Sequence, residues 1–129
     1  MGYDIIDKMP AGKYYVGDLC YVMQNEWDEA CNIMFDPMNG EGNDGVFSLK
    51  DGRKFAIFGT AHGDGCYDDQ EGREYAVDSG SIGCIKVEDI TEDEIREDLG
   101  NIIDFPNDFY VKKNGGELIF GRVWINTNY

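Results

Sequence analysis

The sequence predicts a mainly β domain of the α+β type, an antiparallel sandwich or small barrel of about seven or eight short strands with one or two short helices. Two observations predict it. Short apolar runs recur along the chain with Gly-, Asp- or Asn-rich turn signals between them, as in sheets built from successive hairpins. The strand–helix–strand rhythm of a parallel sheet is absent. The length of 129 residues fits a single compact domain, residues 1–129.

The strands are predicted from apolar runs bounded by turn residues. Residues 1–12 are interpreted as a lead-in that ends with Pro10 and Gly12. Asp51-Gly52 is a strong hairpin signal, and Asn114-Gly115-Gly116 is a second one. The predicted strands are residues 13–16, 46–50, 54–58, 73–77, 82–87, 109–113, 117–120 and 123–125, with a further apolar run at 19–23.

One stretch has the period of a helix rather than of a strand. Its apolar residues follow i, i+3, i+4, i+7, i+8 spacing, which places them on one helix face. They are Trp27, Ala30, Cys31, Met34 and Phe35. Asn25 is predicted as the N-cap, and Pro37 is predicted to end the helix after Phe35.

A second, shorter helix is predicted from a capping box. Thr91 stands at the expected N-cap and Glu94 stands three residues later. Gly100 then marks the end of the helix.

The charge of the chain is strongly negative. There are 26 Asp and Glu residues against 11 Lys and Arg, which gives a net charge of −15. Such a charge opposes direct binding to nucleic acid and to anionic membranes, because both need cations on the protein. It favours association with basic protein surfaces.

The acidic residues are densest between residues 88 and 98, and many of them lie on the second predicted helix. Carboxylates on such a surface could imitate a row of phosphates and occupy a basic groove on a partner protein. The candidate interaction residues are Glu88, Asp89, Glu92, Asp93, Glu94, Glu97 and Asp98.

The segment from Gly63 to Glu74 is rich in oxygen ligands, which calcium prefers. Its fit to an EF-hand loop is poor, since Asp69 stands where Gly is needed and Tyr75 where a bidentate Glu is needed. The segment is therefore interpreted as a solvated turn between strands. No metal site and no cofactor are assigned, and Ca²⁺ is kept as a low-ranking alternative.

The four cysteines, Cys20, Cys31, Cys66 and Cys84, form no Cys-x-x-Cys pair and lie among apolar or small neighbours. With no secretory signal at the N-terminus, they are expected to be reduced core thiols in a cytoplasmic protein. A nucleophilic Cys66 with His62, the single histidine, would define a small hydrolase and is the third-ranked function. Carboxylate pairs are an alternative catalytic group for the same class.

Three strings resemble segments of small proteins encoded by bacteriophages and their hosts. They are Gly17-Asp18-Leu19-Cys20-Tyr21-Val22 followed by Trp27, Gly59-Thr60-Ala61-His62-Gly63-Asp64-Gly65-Cys66-Tyr67, and Val77-Asp78-Ser79-Gly80-Ser81-Ile82-Gly83. They match Gly-Asp-Pro-Cys-Tyr, Gly-Asp-Gly-x-Tyr and Val-Asp-Ser/Ala-Gly motifs, with Leu19 in place of the usual Pro. The resemblance extends over roughly residues 11 to 87.

The resemblance implies a phage-associated accessory protein that acts in the cytoplasm of a bacterial host cell, and it brings no known chemistry. The leading function is therefore a non-enzymatic acidic interaction protein that binds a basic surface of a host or viral protein, as an inhibitor or nucleic-acid mimic. The alternative is a small-ligand or cation-binding domain that uses the Gly/Asp-rich loops. Its candidate residues are Asp18, Tyr21, His62, Asp64, Tyr67 and Asp78.

Overall fold

The computed structural model describes residues 5–34, 44–95 and 97–128. Within them, eleven strands form three antiparallel sheets. The strands are β1 (Ile5–Met9), β2 (Gly12–Gly17), β3 (Gly45–Ser48), β4 (Lys54–Gly59), β5 (Gly65–Asp68), β6 (Glu74–Val77), β7 (Ser81–Lys86), β8 (Asn101–Phe105), β9 (Phe109–Asn114), β10 (Glu117–Phe120) and β11 (Val123–Asn126). One α-helix, α1 (Trp27–Met34), and two 3-10 turns, Leu19–Tyr21 and Val87–Asp89, accompany them.

Two large sheets pack face to face, which confirms the predicted antiparallel class. The four-stranded sheet has the order β1-β9-β10-β11, and the five-stranded sheet has the order β3-β4-β7-β2-β8. The first core lies between them, with Val16 and Ile82 from one sheet and Val111 and Leu118 from the other. The large apolar side chains of these strands are removed from water by this packing, which stabilises the fold.

The five-stranded sheet is buried on both faces. Its outer face is covered by α1 and by the 3-10 turn Leu19–Tyr21, which together form a second core. This explains the unbroken apolar runs in its central strands, where Tyr14 faces the first core and Tyr15 the second.

The apolar face predicted for the first helix is confirmed in its described part. Ala30 and Met34 are buried in the second core, with Trp27 and Cys31 packed against it. Phe35 and Pro37 lie outside the described residues. The prediction of Asn25 as N-cap is wrong by one residue, since the Glu26 carbonyl accepts the first helical hydrogen bond, from Ala30 N.

A two-stranded sheet, β5-β6, lies beside one edge of the sandwich. Asp69 forms an isolated bridge with Ile125 of the β11 edge. On the other side, the amide of Ala76 in β6 donates to the carbonyl of Leu99, just before β8. At the opposite edges of the two large sheets, β1 contacts β3. The sheets therefore contact one another along both sides.

Eight of the eleven strands fall on predicted segments, and three do not. The three are β1 in the predicted lead-in, β5 in the Gly/Asp-rich segment, and β8 after the second predicted helix. Each is defined by pairing with a distant or adjacent strand, namely β9, β6 and β2.

The second predicted helix is wrong: the described residues between 91 and 99 form bends and turns. The side chains of Thr91 and its neighbour Glu92 bond to residues 24–26 instead. The Thr91 hydroxyl donates to the Glu26 carboxylate at 2.9 Å, and the Glu92 carboxylate accepts the backbone N–H of Gln24. The hydroxyl of Thr91 therefore does not serve as the predicted helix cap.

No helix within the described ranges is long and apolar enough to span a lipid bilayer.

Candidate functional site

The Asp18 carboxylate joins two distant motif segments at one end of the molecule. Asp18 is fully buried. Its Oδ2 accepts the backbone N–H of Asp78 at 2.7 Å and that of Ser79 at 2.6 Å. Its Oδ1 accepts the hydroxyl of Ser79 at 2.8 Å and the N–H of Cys20 at 3.0 Å. Four donors thus satisfy this carboxylate from inside the protein.

The remaining motif segment, residues 59–67, contacts the turn that Asp18 holds. The amide of Thr60 donates to the carbonyl of Gly80 at 3.0 Å. The hydroxyl of buried Tyr67 donates to the carbonyl of Gly63 at 2.9 Å, which closes the loop between β4 and β5. We call residues 17–18, 59–64 and 78–81 the loop cluster.

The loop cluster gathers the six residues proposed for ligand binding only in part. Asp18 and Tyr67 direct their polar atoms inward. Tyr21 is half-buried in the 3-10 turn after Asp18. His62, Asp64 and Asp78 are exposed. The geometry assigns Asp18 and Tyr67 to holding the loops, and the exposed carboxylates of Asp64 and Asp78 lie beside them.

Residues 88–98, which we call the acidic segment, are fixed to the rest of the protein at several points. Ile90 and Ile95 pack against the second core. The Arg53 guanidinium donates to the carbonyl of Asp89 at 3.0 Å and bonds the Glu26 carboxylate at 2.7 Å. The described residues of this segment are therefore anchored, although beyond the 3-10 turn Val87–Asp89 they form no helix.

The seven proposed interaction residues differ in how they are presented. Glu88, Asp93, Glu94, Glu97 and Asp98 are exposed, whereas Asp89 and Glu92 are half-buried. Burial and the neighbouring Glu88 raise the pKa of Asp89. Glu92 bonds residues 24 and 25. Arg96 lies outside the described residues.

The cysteines do not all lie in the core. Cys84 is buried, Cys20 and Cys31 are half-buried, and Cys66 is exposed on β5, which corrects the expectation of four core thiols. Burial raises the pKa of Cys66, and the carboxylates of Glu74 and Asp68 raise it further. Because a nucleophilic thiol needs a lowered pKa, this environment does not activate Cys66. The proposed hydrolase role therefore gains no support from Cys66.

The acid-rich turn between β5 and β6 is built around Asp69. Its carboxylate accepts the N–H of Glu71 at 2.9 Å, the N–H and guanidinium of Arg73 at 3.0 and 2.8 Å, and the hydroxyl of Tyr75 at 2.7 Å. Burial alone would raise the pKa of Asp69, but these hydrogen bonds outweigh it and lower the pKa. Within the described residues, no three His, Cys, Asp or Glu side chains are grouped to hold a metal ion.

Two buried tyrosine hydroxyls provide a matched stability test. The Tyr75 hydroxyl donates to Asp69, whereas the Tyr15 hydroxyl has no hydrogen-bond partner among the described residues. We expect Tyr75→Phe to lower the free energy of unfolding by about 2 kcal/mol, because it removes a bond to a charged acceptor. Tyr15→Phe should leave it unchanged or raise it by up to about 1 kcal/mol. Urea unfolding of both variants makes the comparison, and equal losses would contradict it.

The lowered pKa of Asp69 predicts an acid-dependent part of the stability. An unfolded Asp titrates near pH about 4. Since the folded pKa lies below that value, the stabilisation is present above about pH 4 and is lost as the pH falls through the folded pKa. Unfolding of wild type and Asp69→Asn from pH 7 downwards should show their difference shrinking in acid. Asp7→Asn is the control, because Asp7 is exposed on β1. A difference between wild type and Asp69→Asn that grows in acid would contradict the assignment.

A groove beside this turn was not predicted from the sequence. It has a volume of about 250 Å³, lies between the β5–β6 turn and the outer face of the four-stranded sheet, and is called the Trp124 groove. Its lining residues are Asp68, Asp69, Gln70, Glu117, Trp124 and Asn126. Its only indication in the sequence was the alternation of side chains along β11. This alternation places Trp124 on the opposite face of the sheet from buried Val123 and Ile125.

Comparisons with protein-family models, with curated proteins and with solved structures find no match.

Proposed function

We propose that this chain is a non-enzymatic interaction protein that binds a basic surface of another protein through its acidic segment. The observation that carries the proposal is the exposure of Asp93, Glu94 and Glu97 on a backbone that is anchored to the second core. The motif resemblance favours a phage-associated role in a bacterial cell, with a host or viral protein as the partner. Occupying a basic groove would make the chain an inhibitor or nucleic-acid mimic.

The anchoring of the acidic segment supports this proposal. A segment that is already ordered loses less conformational entropy when it binds. The net charge of −15 adds a long-range attraction that steers basic partners towards the chain. Salt screens this attraction, which separates charge-driven contacts from apolar ones.

Affinity capture from bacterial lysate tests the proposal. The immobilised protein should retain one near-stoichiometric basic protein at low salt and release it at high salt. With that partner purified, Asp93→Asn combined with Glu94→Gln should weaken binding by about threefold to tenfold, because each exposed ion pair contributes modestly.

A control with the same change in charge keeps this test specific. Asp64→Asn combined with Asp78→Asn removes two exposed carboxylates from the loop cluster instead of the acidic segment. It should change binding less than the first pair does. Equal effects of the two pairs, or no captured protein, would overturn the proposal.

The second candidate is a small-ligand or cation-binding domain. One observation favours it, namely that the three motif segments meet in the loop cluster with His62, Asp64 and Asp78 exposed there. A ligand that binds only the folded state raises its stability by mass action. Thermal unfolding with calcium and with EDTA tests this candidate. It requires that calcium raise the Tm of the wild type, and that the Asp64→Asn, Asp78→Asn variant lose this increase.

A further inference from the structure

The Trp124 groove has two walls of different character. One wall is the turn after β5, with Asp68 exposed at its rim. The other is the outer face of β10 and β11, where Glu117 stands directly opposite Asn126 in the strand register. Trp124 is one of the large apolar side chains that stay accessible, with 50% of its surface exposed.

Two of the polar lining residues already form hydrogen bonds within the protein. The Asp69 carboxylate is bonded to Arg73 and Tyr75. Gln70 is joined to the β11 edge by both ends of its amide, since Nε2 donates to Arg122 O at 2.6 Å and Oε1 accepts from Trp124 N at 2.9 Å. These bonds fix the backbone on which the Trp124 indole stands. Asp68, Glu117 and the indole remain as the groups that face a ligand.

We propose that the Trp124 groove binds the cationic side chain of a lysine or arginine on a partner protein; taking a protein as the partner rests on the proposed function. An indole face attracts a cation through its π electrons, and Trp is the strongest of the aromatic side chains in this respect. Carboxylates on both sides of the indole add the charge that a lysine or arginine needs.

The size of the groove and the placement of the chain's own cations agree with this ligand. Sites for small organic molecules usually enclose about 300–1,000 Å³, so a groove of about 250 Å³ suits one inserted side chain better. Cations on the neighbouring strand and turn lie over other rings. Lys112 Nζ is 5.9 Å from the centre of the Tyr110 ring, and the Arg122 guanidinium is 5.2 Å from that of Phe105.

This site is separate from the acidic segment and makes a different kind of contact. The acidic segment offers carboxylates alone, whereas the groove combines carboxylates with an aromatic platform. Interface residues that dominate binding are enriched in Trp, and exposed carboxylates contribute less. The groove should therefore contribute more affinity per residue than the acidic segment.

Fluorescence titration of Trp124 with an acetylated tetralysine peptide tests the proposal. Trp27→Phe removes the other tryptophan and makes Trp124 the reporter, with tetraserine as the neutral control peptide. Tetralysine should change the emission saturably and tetraserine should not. Calorimetry then compares variants: Trp124→Ala, and Asp68→Asn combined with Glu117→Gln, should each weaken binding at least about tenfold. Circular dichroism confirms that each variant is folded.

The matched control is the acidic-segment pair, Asp93→Asn with Glu94→Gln, which makes the same change in charge. It should weaken tetralysine binding less than the groove pair does. Equal losses from both pairs, an unchanged Trp124 signal, or binding of choline without binding of tetralysine would overturn the groove proposal. Loss of partner binding in the acidic-segment pair with no effect of the groove pair would leave the proposed function standing and overturn the groove alone.

Discussion

Asp18→Ala should lower the free energy of unfolding by about 3 kcal/mol or more, because hydrogen bonds to a charged acceptor contribute about 1.5–3 kcal/mol each. The carboxylate is fully buried and accepts three backbone N–H groups and one hydroxyl. Removing it leaves these donors without their acceptor. The turn at residues 78–79 then loses its hydrogen bonds to the segment after β2.

Urea unfolding of the purified variant measures this effect. Asp78→Asn is the matched control, because Asp78 is exposed and contributes its backbone N–H, which the substitution retains. It should cost less than about 0.5 kcal/mol, as exposed substitutions usually do. A small loss in Asp18→Ala, or an equal loss in the control, would show that Asp18 does not hold the loop cluster together.

Gly83→Ala should be destabilising by about 3 kcal/mol or should prevent folding, since overpacking inside a well-packed sheet costs about 1–3 kcal/mol and sometimes more. Gly83 lies in β7, between β4 and β2. A Cβ atom there would stand 2.1 Å from the carbonyl oxygen of Ala56 and 2.9 Å from Leu19 Cδ1. The first contact is with backbone of a paired strand, which cannot move without breaking the sheet.

Gly59→Ala is the matched control for this substitution. Gly59 is the last residue of β4 in the same sheet, and a Cβ there would meet its nearest atom, Asp44 Oδ1, at 3.6 Å, an ordinary contact distance. The control should be neutral or stabilising by up to about 1 kcal/mol, because alanine restricts the unfolded chain. Thermal unfolding compares the two, and equal Tm values would contradict the close approach at Gly83.

These two predictions assign a structural role to residues of the motif segments. Asp18 belongs to the first motif, and Gly83 ends the third. Both are explained by packing and hydrogen bonding within the loop cluster and the five-stranded sheet.

The sequence was most informative where a local signal agreed with the final contacts. Asp51-Gly52 does connect two paired strands, with Ser48 opposite Lys54. The helical spacing from Trp27 to Met34 does mark a buried face. The capping box predicted at Thr91 is wrong because the side chains of Thr91 and Glu92 bond to partners 65 and 68 residues earlier in the chain. Long-range partners of this kind leave no periodic trace in a sequence.

The candidate sites show the same limit. The ligand-binding alternative placed Asp18 and Asp78 in one candidate site, and the Asp18 carboxylate does bond the amide of Asp78. The sequence could not show that hydrogen bonds within the protein already satisfy this carboxylate. The Trp124 groove also depends on the position of the β5–β6 turn against β11, which only the tertiary structure provides.

The most direct test of where this protein binds is amide NMR of the isotope-labelled chain during titration with acetylated tetralysine. Our account predicts that peak shifts concentrate in the acidic segment and around Asp68, Glu117 and Trp124, while the loop cluster changes little. Shifts confined to residues 60–64 and 78–81 would contradict it and move the binding site to the loop cluster.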